Sequence, residues 1–309
     1  MIKRTVAITS PAYLSLRLQQ LVIEIYSPPG KPPVQKTVPI EDLGILVLET
    51  HQCTITLGLI SYLLSKQVAI VSCDDRHLPQ GLMLPLEGHT LQSARFRTQL
   101  MASEPLKKNI WAQTIKQKIK NQGMVFKAIG LSNQPFEHWA KDVRSGDPSN
   151  LEARAAAFYW NRIFGAESNF KRGRYEEGAN IYLNYGYAIL RAAVARGLII
   201  SGLFPTFGVH HKNQYNAYCL ADDMMEPYRP VVDYWIYQCL ERLGDTGSIT
   251  TDWKFELLKI PTLDVKIYSE SSPLLVAISK TCASLHKVYS GQSKKVIFPE
   301  LLKEHARSD

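Results

Sequence analysis

The sequence predicts an α+β fold in two parts, a small β-rich domain over 1–90 and a larger helical domain over 91–309. Three observations carry this. The chain has 309 residues, more than one hydrophobic core usually serves before a chain divides. Its texture changes near residue 90, from short β-branched runs to helical spacing. Its charge changes there too: residues 1–90 hold seven basic and seven acidic side chains, so the whole net charge of +8 lies beyond them.

In the first part, "RTVAIT", "LVIEIYS", "LGILVLE" and "VAIVSC" read as strands, being short, apolar and bounded by turn-formers. "SPPGKPP" at 27–33 reads as a turn. "TITLGLISYLLSKQ" at 54–67 is apolar on nearly every turn and predicts one interrupting helix. The second part opens on its densest basic stretch, Arg95 to Lys120, with seven basic residues against Glu104. Ile110, Trp111, Ile115 and Ile119 recur near helical spacing, which leaves Lys108, Lys116 and Lys120 to share the solvent side. A basic surplus suits an anionic partner, with nucleic acid the commonest. An ordinary solvated helix face explains the same run, and charge alone does not choose. "LEARAAAFYWNRIFG", "GANIYLNYGYAILRAAVARG" and "PVVDYWIYQCLERLG" predict further helices. Ser149 or Asn150 is the expected N-cap of the first of them. Tyr182, Tyr185 and Tyr187 are expected in the core.

Composition excludes several classes. No apolar run approaches the ~20 residues of a membrane span, and the basic N-terminus has no apolar stretch behind it, so no secretory signal is read there. Cys53, Cys73, Cys219, Cys239 and Cys282 are odd in number and widely spaced, without a CxxC pair. They predict free thiols in a reducing cytoplasm rather than disulfides or a zinc site.

The acids carry the chemistry. Glu152 stands in a first helical turn, where a carboxylate suits the helix dipole. The small residues Ala153 and Ala155–Ala157 around it suit a packed helix, and a buried acid needs a partner or a metal. "GVHHKNQYNAYCLADDMMEPYRP" at 208–230 places His210 and His211 ahead of Asp222, Asp223 and Glu226. On a helix both aspartates share a face with Glu226, so spacing alone does not choose between them. Acids gathered in one turn repel unless a cation sits between them. Carboxylates with one imidazole suit Mg²⁺ or Mn²⁺ better than structural zinc. A basic domain with such a site points to phosphodiester chemistry.

"NLEARAAAFYW", "NIYLNYGYAILRA" and "GVHHKNQYNAYCLADDMMEPYRPVVD" together resemble the CRISPR-associated integrase family, the first of the CRISPR-associated proteins, in its type II form. The match runs in order from Glu152 to Asp233. The resemblance implies a β-sandwich-like N-terminal domain at the contact of a homodimer, and an all-helical catalytic domain. It implies two such dimers flanking a dimer of the small second CRISPR-associated protein, together inserting short foreign double-stranded DNA into the CRISPR array. It leaves open whether the RNA-guided effector nuclease helps select that DNA. Carried over by position, Glu152, His211 and Glu226 are the implied metal ligands and Asp223 an auxiliary acid, while His210 and Asp222 find no counterpart. The implied reaction is direct transesterification by a 3′-hydroxyl. Lys171, Arg172 and Arg174 join the stretch from Arg95 to Lys120, including Lys118, as expected backbone contacts. A plain metal-dependent nuclease would use the same residues with water as nucleophile. A non-catalytic DNA-binding scaffold would need the basic surface but not the acids.

Overall fold

The computed structural model describes residues 3–26, 34–75, 77–165, 170–173 and 176–302. The expected turn at 27–33 lies outside them. The chain separates into two compact units, at Met1–Thr90 and Leu91–Asp309.

The first unit is built on two sheets of four strands. Strands β1 (Arg4–Ile8), β2 (Ala12–Arg17), β3 (Gln20–Ile25), β4 (Val34–Pro39), β5 (Leu43–Leu48) and β6 (Cys53–Ile55) precede helix α1 (Leu57–Ser65), and β7 (Ala69–Cys73) and β8 (Pro79–Met83) follow it. One sheet runs β1-β5-β7-β8 and the other β4-β3-β2-β6. The first three strands of the former are parallel. That pairing needs a long crossover between β5 and β7, and α1 lies within it. Leu14, Leu21, Leu43, Leu46, Leu59 and Leu63 come from both sheets and the helix, and all are 0% exposed in one cluster. The four apolar runs are strands as expected, and Thr56 caps α1 by accepting from the Leu59 amide. Strands β2, β4, β6 and β8 lie outside the runs whose sequence predicts a strand. The β2–β3 turn shows why. Leu18 and Gln19 both take positive φ, at 48° and 60°, as a two-residue type I′ hairpin demands. The usual Asn-Gly signal is absent, so the sequence gives no hint of the hairpin.

The second unit holds α2 (Gln92–Leu100), α3 (Glu104–Ala128), α4 (Gln134–Asp142), α5 (Leu151–Trp160), α6 (Ala179–Ile200), α7 (Cys219–Met225), α8 (Arg229–Leu243), α9 (Thr251–Leu258) and α10 (Leu274–Tyr289). The all-helical expectation needs one correction. Strands β9 (Asp264–Ile267) and β10 (Glu270–Pro273) form an antiparallel hairpin before α10. Its turn again places non-glycine residues at positive φ, Tyr268 at 52° and Ser269 at 67°.

Helix α6 is the spine of this unit. Tyr182, Leu183, Tyr185, Ile189 and Leu190 are each 0% exposed, so the tyrosines are core residues as expected. Gly186 lets α8 approach: a Cβ there would stand 3.0 Å from Val232 Cγ1 and from Ile260 Cδ1. Helix α3 starts at Ser103, whose hydroxyl accepts from the Leu106 amide, with Pro105 in its first turn. Its far end is pinned by Asn121, which donates to the carbonyls of Pro227 at 2.7 Å and Pro299 at 3.0 Å. This ties α3 to the short 3₁₀ turn Glu226–Tyr228 that links α7 to α8. The N-cap of α5 is Asn150, one of the two expected residues, but the cap bonds are not its own. Asn150 sits there in a left-handed conformation without a side-chain bond. The Asp147 carboxylate instead accepts from Leu151 N at 3.0 Å and Glu152 N at 2.9 Å. Being buried, Asp147 meets no water competing for those bonds.

Candidate active site

Helix α5 presents Glu152 in its first turn, and the 3₁₀ turn after α7 presents Glu226. Both carboxylates reach one cation, the Lys118 ammonium of α3. Its Nζ lies 2.7 Å from Glu152 Oε1 and 2.5 Å from Glu226 Oε2. The first contact has hydrogen-bond geometry, whereas the second is an ion pair that leaves Glu226 Oε2 without a well-aligned donor. The Lys118 side chain is only 11% exposed and that of Glu226 7%. Glu226 Oε1 accepts from Arg229 Nε at 2.8 Å, one turn along. Burial opposes ionisation of Glu226, but Arg229 and Lys118 outweigh it and hold the carboxyl down at about 2. Burial likewise opposes the charge on Lys118, and the two glutamates overcome it and raise its pKa.

The histidine loop is held by the acid at the end of α7. Asp223 is 0% exposed. Its Oδ2 accepts from Val209 N at 2.6 Å and His210 N at 3.0 Å, and its Oδ1 from His211 N at 3.3 Å. Asp223 Oδ1 also pairs with His211 Nδ1 at 2.6 Å. Gly208 makes the turn possible, since a Cβ there would meet the His211 carbonyl and the Asp223 carboxylate. The bond to Asp223 is the main cause that raises the His211 pKa, against burial and with help from the charges of Glu226 and Asp222. With Nδ1 engaged, Nε2 is the nitrogen His211 has for a ligand. The two histidines part company on Trp111. His210 stacks flat on the indole at 4.0 Å, with 2° between planes, while His211 meets it edge-on at 5.9 Å. Trp111 and Lys118 stand two turns apart on α3, so one helix positions both the histidine loop and the shared ammonium.

The three acids of the 222–226 segment therefore have three tasks. Asp222 accepts from Arg191 Nε at 2.7 Å and Asn216 Nδ2 at 2.7 Å, which fastens α7 to α6. Asp223 aims the histidine loop, an auxiliary role without evident room for ligation. Glu226 faces Lys118 and Glu152. The structure brings Glu152 and Glu226 together on Lys118 and sets His211 within electrostatic reach of Glu226. Among the described residues, no three His, Cys, Asp or Glu side chains are gathered closely enough to hold a metal ion. The donor chemistry nevertheless fits one: two carboxylates already share a cation at 2.5–2.7 Å, and an oriented imidazole is the next donor.

Beside Glu226 lies a half-open cavity of about 160 Å³, lined among others by Lys118, Gln122, Arg172, Tyr187 and Arg229. On its wall Tyr187 donates to Asp233, whose full burial pushes its carboxyl up to about 7 despite Tyr187, Arg172 and Arg229. Arg172 is half-buried, and its guanidinium donates to Asn180 Oδ1 at 2.9 Å and Asn184 Oδ1 at 2.8 Å. Lys171 is exposed, and Arg174 lies outside the described residues. On α3, Lys108 and Lys120 are exposed and Lys116 half-buried, as the spacing predicts. Lys118 is the exception, facing inward. Sequence reasoning reads Lys118 as a DNA-backbone contact and Trp111 only as an apolar helix position, and it gives no site role to Arg229 or Asp147. The two-turn spacing of Trp111 and Lys118, with Ile115 between them, was the one available signal for the inward lysine. All five cysteines are free, and no helix among the described residues is long and apolar enough to cross a membrane.

The model of the family "CRISPR associated protein Cas1" matches residues 6–248. A CRISPR-associated endonuclease Cas1 of Neisseria meningitidis serogroup C (strain 8013) is 35% identical over 302 residues, 97% of this chain and 96% of that protein. A casposase, solved bound to integration product, is similar in fold at a TM-score of 0.80 and 19% identity, covering 100% of this chain and 96% of that one. A chain of a Cas6-RT-Cas1–Cas2 complex matches 98% of this chain over 36% of its own length, with a TM-score of 0.72 and 17% identity.

Proposed function

The chain belongs to the CRISPR associated protein Cas1 family, and from that premise we propose that it is a metal-dependent DNA endonuclease and integrase of CRISPR adaptation. One observation carries the reading: Glu152 and Glu226, from separate elements, converge on a single cation beside an imidazole aimed by Asp223. The name of the Neisseria relative and the integration product held by the casposase support it. Glu152, Glu226 and His211 would hold Mg²⁺ or Mn²⁺. The ion, when bound, supplies Lewis-acid stabilisation of charge on the phosphoryl oxygens and lowers the pKa of an attacking hydroxyl. The chain's own residues do the rest. Asp223 keeps the His211 ring in one orientation, and Arg229 keeps Glu226 ionised and turned. In the reaction, the 3′-oxygen of an incoming strand forms a new ester at a target phosphorus. The target strand's own 3′-oxygen leaves and takes up the proton. We extend the proposal to a Cas2 partner, which the name of the Cas6-RT-Cas1–Cas2 complex supports, and to the homodimer that the family resemblance implies.

The test is a joining assay with this protein, its partner, a duplex with free 3′-hydroxyls and a supercoiled target. Joined product is expected with Mg²⁺ or Mn²⁺, and its loss is expected with chelator or with Glu152→Gln. Nicks alone would favour a plain nuclease, and neither product a scaffold.

Duplex contact is proposed for Lys108, Lys116 and Lys120, with the internal Lys118 set aside. Each phosphate contact adds about −0.9 to the slope of log K against log salt. Reversing the three to Glu is expected to flatten the slope and weaken binding to all sequences alike. An unchanged slope returns this face to ordinary solvation.

A further inference from the structure

We infer that Lys118 is a built-in competitor of the divalent cation, its ammonium taking the carboxylate oxygens that the ion needs. This rests on the cation site proposed above. Glu226 has two oxygens, and each meets one cation: Oε1 the Arg229 guanidinium at 2.8 Å, Oε2 the Lys118 ammonium at 2.5 Å. The same ammonium takes Glu152 Oε1 at 2.7 Å. An ion shared by Glu152 and Glu226 has to displace one of these groups, and the two differ in how firmly they are placed. Arg229 sits one turn from Glu226 with its guanidinium 4.4 Å over the Tyr187 ring, so it is held by stacking as well as charge. Lys118 is a point charge on a flexible four-carbon stem. It also lines the cavity beside Glu226.

Lys118 therefore does two things that oppose each other. It stabilises the fold by compensating two carboxylates, one of them buried. It also weakens cation binding, first by occupying the oxygens and then by remaining a positive neighbour of the bound ion. Removing one positive neighbour shifts such equilibria by about one logarithmic unit.

The experiment titrates the full-length protein with Mn²⁺ alone, read by electron paramagnetic resonance of the free ion, alongside melting midpoints. Lys118→Met removes the charge while keeping the stem, and Lys118→Gln repeats the removal should the first variant fold poorly. Lys118→Arg keeps the charge. The charge-removing variants are expected to bind Mn²⁺ about tenfold more tightly than wild type, or about 1.4 kcal/mol. Their melting midpoints fall without Mn²⁺ and rise more than the wild type's when it is added. Lys118→Arg gains nothing. If Lys118→Met and Lys118→Gln bind Mn²⁺ no more tightly than wild type, while Glu226→Gln abolishes binding, the competition is wrong and the site stands. If wild-type binding is absent, or is unaffected by Glu226→Gln, the site falls and the competition with it.

Discussion

His211→Ala is expected to lower joining about a thousandfold at ordinary Mg²⁺, about 4 kcal/mol of transition-state stabilisation, while duplex binding and the melting midpoint stay close to wild type. His210→Ala is expected to stay within about tenfold of wild type. The two histidines are neighbours in sequence but not in task. His210 lies flat on Trp111 at 4.0 Å, and losing such a stack removes about 0.5–1.5 kcal/mol of loop packing. His211 turns away from that stack, is gripped at Nδ1 by Asp223, and presents the nitrogen that the two glutamates lack. The basic residues proposed to meet DNA lie on α3, so the duplex has no reason to leave when the imidazole goes. Joining by His211→Ala with none by His210→Ala would reverse the assignment. Full joining by both would sink the cation site itself.

The fold was legible where burial writes a pattern and illegible where backbone geometry does the work. The runs around Ile45, Val22 and Ile70 are buried strands because continuous β-branched residues fill a core from either face. The β2–β3 and β9–β10 hairpins left no trace, because Leu18-Gln19 and Tyr268-Ser269 adopt left-handed turns that glycine or asparagine usually announces. The surrounding ladders hold these residues in conformations their side chains do not favour. The side-chain acceptor that caps α5 was hidden for a related reason. An aspartate well upstream reaches its amides only because residues 147–150 coil back on themselves.

In the site, residue types were legible and their division of labour was not. Spacing put Asp222, Asp223 and Glu226 within one turn, and mutual repulsion suggested a shared ion. The structure relieves the repulsion differently, giving Asp222 to Arg191, Asp223 to the loop amides, and Glu226 to Lys118 and Arg229. Those partners come from α6, the histidine loop, α3 and α8, so no local window could pair them. Lys118 is the sharpest case. In a run of lysines its charge reads as solvent-facing, yet Glu152 of α5 and Glu226 of the turn after α7 hold its head inward.

Asp223→Ala is expected to destabilise the protein by about 3 kcal/mol or more, because up to three backbone amides lose their acceptor and each orphaned buried donor costs about 1–3 kcal/mol. For a unit of this size the melting midpoint should fall by about 6–12 °C. Asp223→Asn, which keeps the volume and one acceptor oxygen, should fall less. Joining should drop in both about as far as in His211→Ala, since the imidazole is no longer held at Nδ1. Combining Asp223→Asn with His211→Ala should then add little further loss, because the two changes break one unit. The cation separates this reading from ligation. Asp223 is 0% exposed, and its oxygens are taken by Val209, His210 and His211. Mn²⁺ affinity of Asp223→Asn should accordingly stay well above that of Glu226→Gln. Equal weakening in the two variants would make Asp223 a ligand, and would mean the histidine loop opens when the ion binds.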